Sequence, residues 1–181
     1  MSRSQTAGPR ILTVCTGNIC RSPMAQTVLQ DRLEAAGLAA TVDSAAVSDE
    51  EWGNPIDPRA RRVLEQAGYT VPDHKARRID PDDFADYDLI IVMTFRHHLI
   101  LRHLAERVGA GDPPLRMLRQ FDHPDIETEP SPEFDIDDPW YGDLSDFERT
   151  LAQIEAAAPG VLTWVERQLG TNNPDHGNGA G

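Results

Sequence analysis

The 181-residue sequence holds only two cysteines, Cys15 and Cys20, set five positions apart. Two thiols so placed make no disulfide framework, so packing must hold the core, which a chain of this length can achieve. Basic charge is also scarce: 17 Lys and Arg stand against 30 Asp and Glu, a formal net charge of −13 at pH 7. Such a balance repels phosphate backbones and anionic lipid, so neither nucleic acid nor a membrane is an expected partner. It leaves room for one small local anion site. No apolar run approaches the length of a membrane span, and the opening "MSRSQTAGPR" contains no apolar signal-peptide region. A cytoplasmic protein is the expectation, although export by a route without a signal peptide is compatible with the sequence.

Short apolar runs are present in their place. "RILTVC" at 10–15 and "DLIIVM" at 88–93 read as strands buried on both faces, as parallel strands are. "ATVDS" at 40–44 and "LRML" at 115–118 are weaker strand candidates. Helical patterns lie between them. Ser22-Pro23 reads as a helix start with Ser22 as N-cap, Ala25, Val28, Leu29 and Leu33 keep helical spacing, and Gly37 supplies the stop. Residues 57–67 and 95–108 form two further helices that close on Gly68 and Gly109. A last helix is expected over 144–169, kinked or split at Pro159-Gly160.

This alternation predicts an α/β fold: one domain with a four-stranded parallel twisted sheet, helices on both faces, and a flavodoxin-like order. The domain is expected over 10–169, with a flexible extension over 1–9 and a disordered tail over 170–181. The acidic, proline-rich stretch over 121–143 is too long for an idle connection, so a functional loop is expected there.

The cysteines belong to "CTGNICRS" at 15–22, where a buried strand turns into a helix. Gly17 permits the tight turn, and Asn18 tolerates a left-handed backbone. Such a loop points successive N–H groups inward while the helix adds its positive end, which together make an anion cradle. Cys15 would lie at its floor, and Arg21 would close it with a planar donor suited to phosphate. A cysteine attacks as the thiolate, and a free thiol titrates near ~8.5. Ionisation three units lower requires about 4 kcal/mol, at ~1.4 per unit. A helix end supplies at most ~2 kcal/mol, so loop amides, Arg21 and the Ser22 hydroxyl would have to contribute the rest. A glycine turn beside a buried cysteine is the plainer reading, and C-x₅-R recurs by chance. The strand, turn and helix around it favour a phosphate-type site.

The octet, followed by "SPMAQ", resembles the active-site signature of the low-molecular-weight protein tyrosine phosphatases. The likeness continues in order through "GNPIDPRARRVLEQAGY", "DHKARRI", "DFADYDLIIVM" and "DDPWYGD" at 137–143. It implies that Cys15 attacks phosphorus to form a phosphocysteine. Arg21 and the amides over Thr16, Gly17, Asn18, Ile19 and Cys20 would hold the phosphoryl oxygens. Asp138 would protonate the leaving phenolate and then activate water; Asp137 is its neighbour and rival, and Pro139 after Asp138 matches the family's loop. Ser22 would donate to the Cys15 sulfur, Ser44 and His74 would brace Asn18, and Trp52, Trp140 and Tyr141 would form an aromatic rim. The resemblance further implies phosphotyrosine proteins as partners, inorganic phosphate as an inhibiting product, and no metal or other cofactor. An oxidised Cys15 condensing reversibly with Cys20 is a further expectation.

Two features depart from the family. "WGNP" at 52–55 is shorter than usual by two residues, and Thr94 follows Met93 where many members have aspartate. Two related activities use a similar loop. Arsenate reductases relay oxidation to later cysteines, and none follows Cys20. Protein-arginine phosphatases tend to have Thr at the place of Ile19, whose apolar side chain suits a flat aromatic ester better than a guanidino group. An inactive phosphate sensor would lack Cys15 or Asp138. His97, His98 and His103 do not share one helical face, so they read as a solvated surface, as do Arg59, Arg61, Arg62, Arg77 and Arg78.

Overall fold

The computed structural model describes residues 8–123 and 128–171. The expected extension over 1–9 and tail over 170–181 therefore lie mostly outside the described residues. Pro9 is buried, its carbonyl accepting from Thr41 N at 3.1 Å, and the last helix runs on to Thr171.

Four strands, β1 (Arg10–Cys15), β2 (Thr41–Ala46), β3 (Leu89–Val92) and β4 (Leu115–Met117), form one parallel sheet in the order β2-β1-β3-β4. Every pairing is parallel, and β1 runs in register with β2 from Arg10↔Thr41 to Cys15↔Ala46. That register carries β2 two residues beyond the expected end, through Ala45 and Ala46. These alanines have weak strand propensity, but they complete the ladder beside β1.

Alternation along the strands sends side chains to two separate cores. Ile11, Leu89 and Ile91 face one side, where α1 (Arg21–Ala35), α2 (Pro58–Gln66) and α5 (Leu144–Thr171) pack. Leu12, Val14, Ile90 and Val92 face the other, against Phe84 of the short α3 (Asp83–Asp86) and Leu101 and Ala105 of α4 (Phe95–Val108). Each large side chain so buried contributes roughly 1.5–3 kcal/mol.

Local chemistry sets the helix ends. Asp57 caps α2 by accepting from Arg59 N at 2.7 Å. Thr94 caps α4 by accepting from His97 N at 3.2 Å, so it fills the place of the family's aspartate with another good N-cap. α5 continues through Pro159 without a split, because its inner face is held against α1, α2 and the single turn over Leu118–Asp122. The stretch over 121–143 holds two further single turns, Pro132–Phe134 and Pro139–Tyr141. Among the described residues, no helix is long and apolar enough to cross a membrane.

Neighbours of β1 lead off in opposite directions, β2 to one side and β3 to the other. A sheet that reverses its winding leaves a crevice at the carboxyl ends of the strands, where ligands are taken up. The octet begins there.

Candidate active site

The loop between β1 and α1 turns its carbonyls outward. Those of Cys15, Thr16, Asn18 and Ile19 accept from Val47 N (2.9 Å), Ser48 N (3.1 Å), His74 Nε2 (2.6 Å) and Asp57 N (2.8 Å). In a trans peptide the N–H points opposite to the C=O, so outward carbonyls turn the following amides toward the cleft. Asn18 makes the reversal with φ of 60°, the one positive φ outside glycine among the described residues.

A cleft of about 100 Å³ opens over this loop, lined by Cys15, Thr16, Gly17, Ile19, Cys20, Arg21, Glu50, Glu51, Asp138, Trp140 and Tyr141. Cys15 is buried at its floor, with Ser22 Oγ 3.1 Å from its Sγ. Ser22 also accepts from Asn18 Nδ2 at 2.9 Å and lies 3.3 Å from Ala45 O. The hydroxyl proton can thus go to the sulfur or to the carbonyl, and a thiolate would win it as the charged acceptor.

Ser22 does not cap α1, contrary to expectation. The helix begins two residues earlier, at Arg21, with Cys20 in the capping position and no side-chain cap. The Ser22 oxygen is committed to the sulfur and to Asn18 instead.

Arg21 is buried and points across the cleft. Its Nη1 donates to Ile136 O at 3.0 Å, and its Nη2 donates to Asp138 Oδ2 at 2.6 Å and Thr16 Oγ1 at 3.3 Å. Its Nε is buried with no partner among the described residues. A phosphoryl oxygen would satisfy that donor. Asp138 also accepts from Trp140 N at 3.2 Å, whereas Asp137 is exposed and outside the lining.

The acid-bearing loop is fastened at several points. Ile136 N donates to Met93 O at 2.9 Å, and Asp135 Oδ1 accepts from Phe95 N at 2.6 Å. Arg59 holds the far end, donating to Trp140 O (3.3 Å) and Gly142 O (3.0 Å) while its guanidinium lies over Phe147 and pairs with Asp57. Arg59 is therefore a strap rather than a surface charge. Arg77 is also drawn inward: its side chain pairs with Asp83 and Asp43, and its N donates to Asn18 Oδ1 at 3.0 Å.

Asn18, Ser44 and His74 come within hydrogen-bond distance. Asn18 Nδ2 donates to Ser44 Oγ at 2.9 Å, and His74 reaches the Asn18 carbonyl rather than its side chain. Burial pushes His74 below the usual imidazole range, so it is neutral and donates through Nε2–H. Gln26, the last residue of "SPMAQ" and given no role there, accepts from Ser44 Oγ at 2.6 Å and completes this brace.

Further placements differ from the sequence reading. Trp52 is 67% exposed and lies outside the cleft lining, so it builds no wall here. The short turn over 49–54, closed by Trp52 N to Asp49 O and Asn54 N to Glu51 O, brings Glu50 and Glu51 to the cleft instead. His97 and His98 are buried, not solvated, and His97 Nε2 lies 3.0 Å from Thr16 Oγ1 beneath the loop. Trp140 and Tyr141 do line the cleft, and Tyr141 is largely exposed at its mouth.

No described cluster of His, Cys, Asp or Glu could hold a metal ion. The arrangement joins a nucleophilic sulfur, a free guanidinium donor, inward amides and a carboxylate at the cleft edge. That set can transfer a phosphoryl group to sulfur and supply a proton to the group it leaves.

Comparisons with known proteins agree with this chemistry. The family model "Low molecular weight phosphotyrosine protein phosphatase" matches residues 10–171. The chain is 41% identical to low molecular weight protein-tyrosine phosphatase A of Mycobacterium tuberculosis over 163 residues, 89% of this chain and 94% of that protein. It is 39% identical to the Streptomyces coelicolor low molecular weight protein-tyrosine-phosphatase, covering 88% and 95% of the two chains. The crystal structure of a protein tyrosine phosphatase from Entamoeba histolytica, with Hepes in its active site, superposes with a TM-score of 0.75 at 27% identity, covering 88% of this chain and 97% of that one. With its fold, its phosphate loop and nearly its whole length matched, the chain belongs to the low-molecular-weight phosphotyrosine protein phosphatase family and is a cysteine-dependent protein-tyrosine phosphatase.

Proposed function

We propose that the enzyme hydrolyses phosphotyrosine in proteins in two steps through Cys15. The sulfur attacks phosphorus, a S–P bond forms, and the P–O bond to the phenol breaks while Asp138 gives its proton to the leaving oxygen. Asp138, now a carboxylate, takes a proton from water, which attacks phosphorus and returns Cys15 with release of inorganic phosphate. General acid help of this kind is worth ~10²–10⁴-fold. Arg21 and the amides from Thr16 to Arg21 hold the phosphoryl oxygens, and Ser22 steadies the sulfur as it leaves.

One observation carries the reading: the buried Arg21 Nε has no partner among the described residues, beside Cys15 and across from Asp138. Released phosphate fits the same donors and should inhibit competitively. Trp140 and Tyr141 offer apolar area for an aromatic ring, and Ile19 in the lining is apolar, which supports an aryl ester over a phosphoguanidino group. Burial first, then the Asp57 carboxylate, raise the Cys20 thiol well above the ordinary cysteine range, so it is as a thiol that Cys20 would meet an oxidised Cys15. The assigned setting is the cytoplasm, with phosphorylated proteins as partners.

The test is hydrolysis of phosphotyrosine, phosphoserine and phosphoarginine peptides by wild type and Cys15→Ser. Turnover of phosphotyrosine by wild type, and none by Cys15→Ser, is expected. Faster turnover of phosphoarginine would overturn the substrate class.

A further inference from the structure

His97 lies at the third position of α4, on an element that contributes nothing to the cleft lining itself. It is only 3% exposed. Thr94 fixes the first turn of its helix by accepting from His97 N, and β3 delivers Thr94 to the carboxyl edge of the sheet. The ring thereby reaches the underside of the phosphate loop, with Nε2 3.0 Å from Thr16 Oγ1. The same Thr16 oxygen accepts from Arg21 Nη2 at 3.3 Å, and Thr16 itself is exposed in the cleft.

The tautomer follows from what surrounds the other nitrogen. His97 Nδ1 is buried with no partner among the described residues. A buried N–H without an acceptor is rarer and more costly than an unused lone pair. The proton therefore sits on Nε2, and His97 donates to Thr16. With its oxygen accepting from both His97 and Arg21, Thr16 has no acceptor left behind it for its own hydrogen among the described residues. That hydrogen is turned to the cleft.

We infer that His97 is a positioning residue: through the Thr16 oxygen it registers the Arg21 guanidinium and directs the Thr16 hydroxyl toward a bound phosphoryl group. Burial, followed by the Arg21 and Arg96 cations, lowers the ring to about 3, so it stays a neutral donor under working conditions. The inference rests on the loop being a phosphoryl site, as proposed above.

The test is a cycle of His97→Leu, Thr16→Val and the double variant, read by kcat, KM and the inhibition constant of inorganic phosphate, with His97→Gln and Thr16→Ser as conservative controls. A neutral hydrogen bond is worth about three- to tenfold in an equilibrium. Each single removal should weaken phosphate inhibition and lower kcat/KM by about that factor. The double variant should lose no more than the worse single one, and the controls should stay near wild type. The ¹⁵N imidazole spectrum of the wild type should show Nε2 protonated. Multiplying losses, an Nδ1-protonated ring, or a lower Tm with unchanged phosphate inhibition would each overturn the inference. Should His97→Leu fail to fold, Thr16→Val against Thr16→Ser and the ring spectrum still decide. A wild type that neither cleaves aryl phosphates nor is inhibited by phosphate would instead defeat the underlying reading.

Discussion

Asn18 is held by four partners: Ser22, Ser44, the Arg77 N–H and His74. The loop shape is therefore fixed before any anion arrives, and the affinity it gains comes from ordering that is already complete. Asp138 works against that affinity. Its carboxylate occupies the Arg21 Nη2 that an entering phosphate would share, and it adds negative charge beside the anion. Asp138→Asn should therefore bind phosphate more tightly while kcat falls ~10²–10⁴-fold, most for phenols of high pKa. Equal loss for good and poor leaving groups would remove Asp138 from the acid role. His97 gives a second prediction. Its folded value of about 3 lies below the ordinary 6.5, so the unfolded chain binds more protons between these values and stability rises with pH there. That contribution is complete above 6.5 and is lost as pH falls toward 3. His74 and His98, also lowered by burial, act in the same direction. Urea unfolding at pH 7 and pH 5 should show His97→Gln with the shallower dependence, by up to ~1.4 kcal/mol per unit. An identical slope would mean that His97 does not titrate on unfolding. At this scale the octet is legible in the sequence from its strand-turn-helix setting, and Ser44, His74 and Asp138 from the family resemblance. The Gln26–Ser44 contact, Glu50, Glu51 and the Thr16–His97 pair are not, since only folding brings them together.

The elements were more legible than their ends. β1 and α4 occupy their expected spans because each has a strong pattern and clear punctuation, an apolar run for one, Thr94 and Gly109 for the other. α1 begins two residues early because Ser22 serves the sulfur, a demand that no propensity encodes. Pro159 deceives for a similar reason: a proline unsupported by packing breaks a helix at roughly 3 kcal/mol, and α5 has neighbours along its length. Gly160 beside it marks the closest of these approaches, for a Cβ built there would overlap the carbonyl oxygen of Phe121. Gly→Ala inside a helix ordinarily stabilises by ~0.5–1 kcal/mol. Gly160→Ala should do the reverse, because the obstacle is backbone and α5 must move off the turn over Leu118–Asp122. A melting temperature at or above that of wild type would show that α5 has room to spare there. A lower one, with phosphatase activity retained below the transition, is expected, since the phosphate loop rests on α1 and β1.

For the whole molecule, the net charge of −13 and an anionic substrate pull in opposite directions. The cleft resolves this only at its floor, where Arg21 and the amides lie; its mouth carries Glu50, Glu51 and Asp138. Glu51 is further engaged by Asn54 Nδ2 at 2.6 Å, which leaves Glu50 as the exposed charge at the rim. A phosphotyrosine flanked by acidic residues must bring those charges past the rim, whereas basic flanks would be drawn to it. Exposed pairs of this kind are worth ~0.2–1 kcal/mol. Peptides with Lys or Arg beside the phosphotyrosine should thus exceed those with Asp or Glu in kcat/KM by roughly 1.5- to fivefold for each such contact. The difference should shrink with added salt, because the screening length falls from about 30 Å at 0.01 M to about 8 Å at 0.15 M. Glu50→Gln should narrow it at low salt and change little at high salt, without altering kcat for a small aryl phosphate that never reaches the rim. If the preference survives both the substitution and the salt, recognition of flanking residues lies with the shape of the Trp140–Tyr141 wall and not with charge.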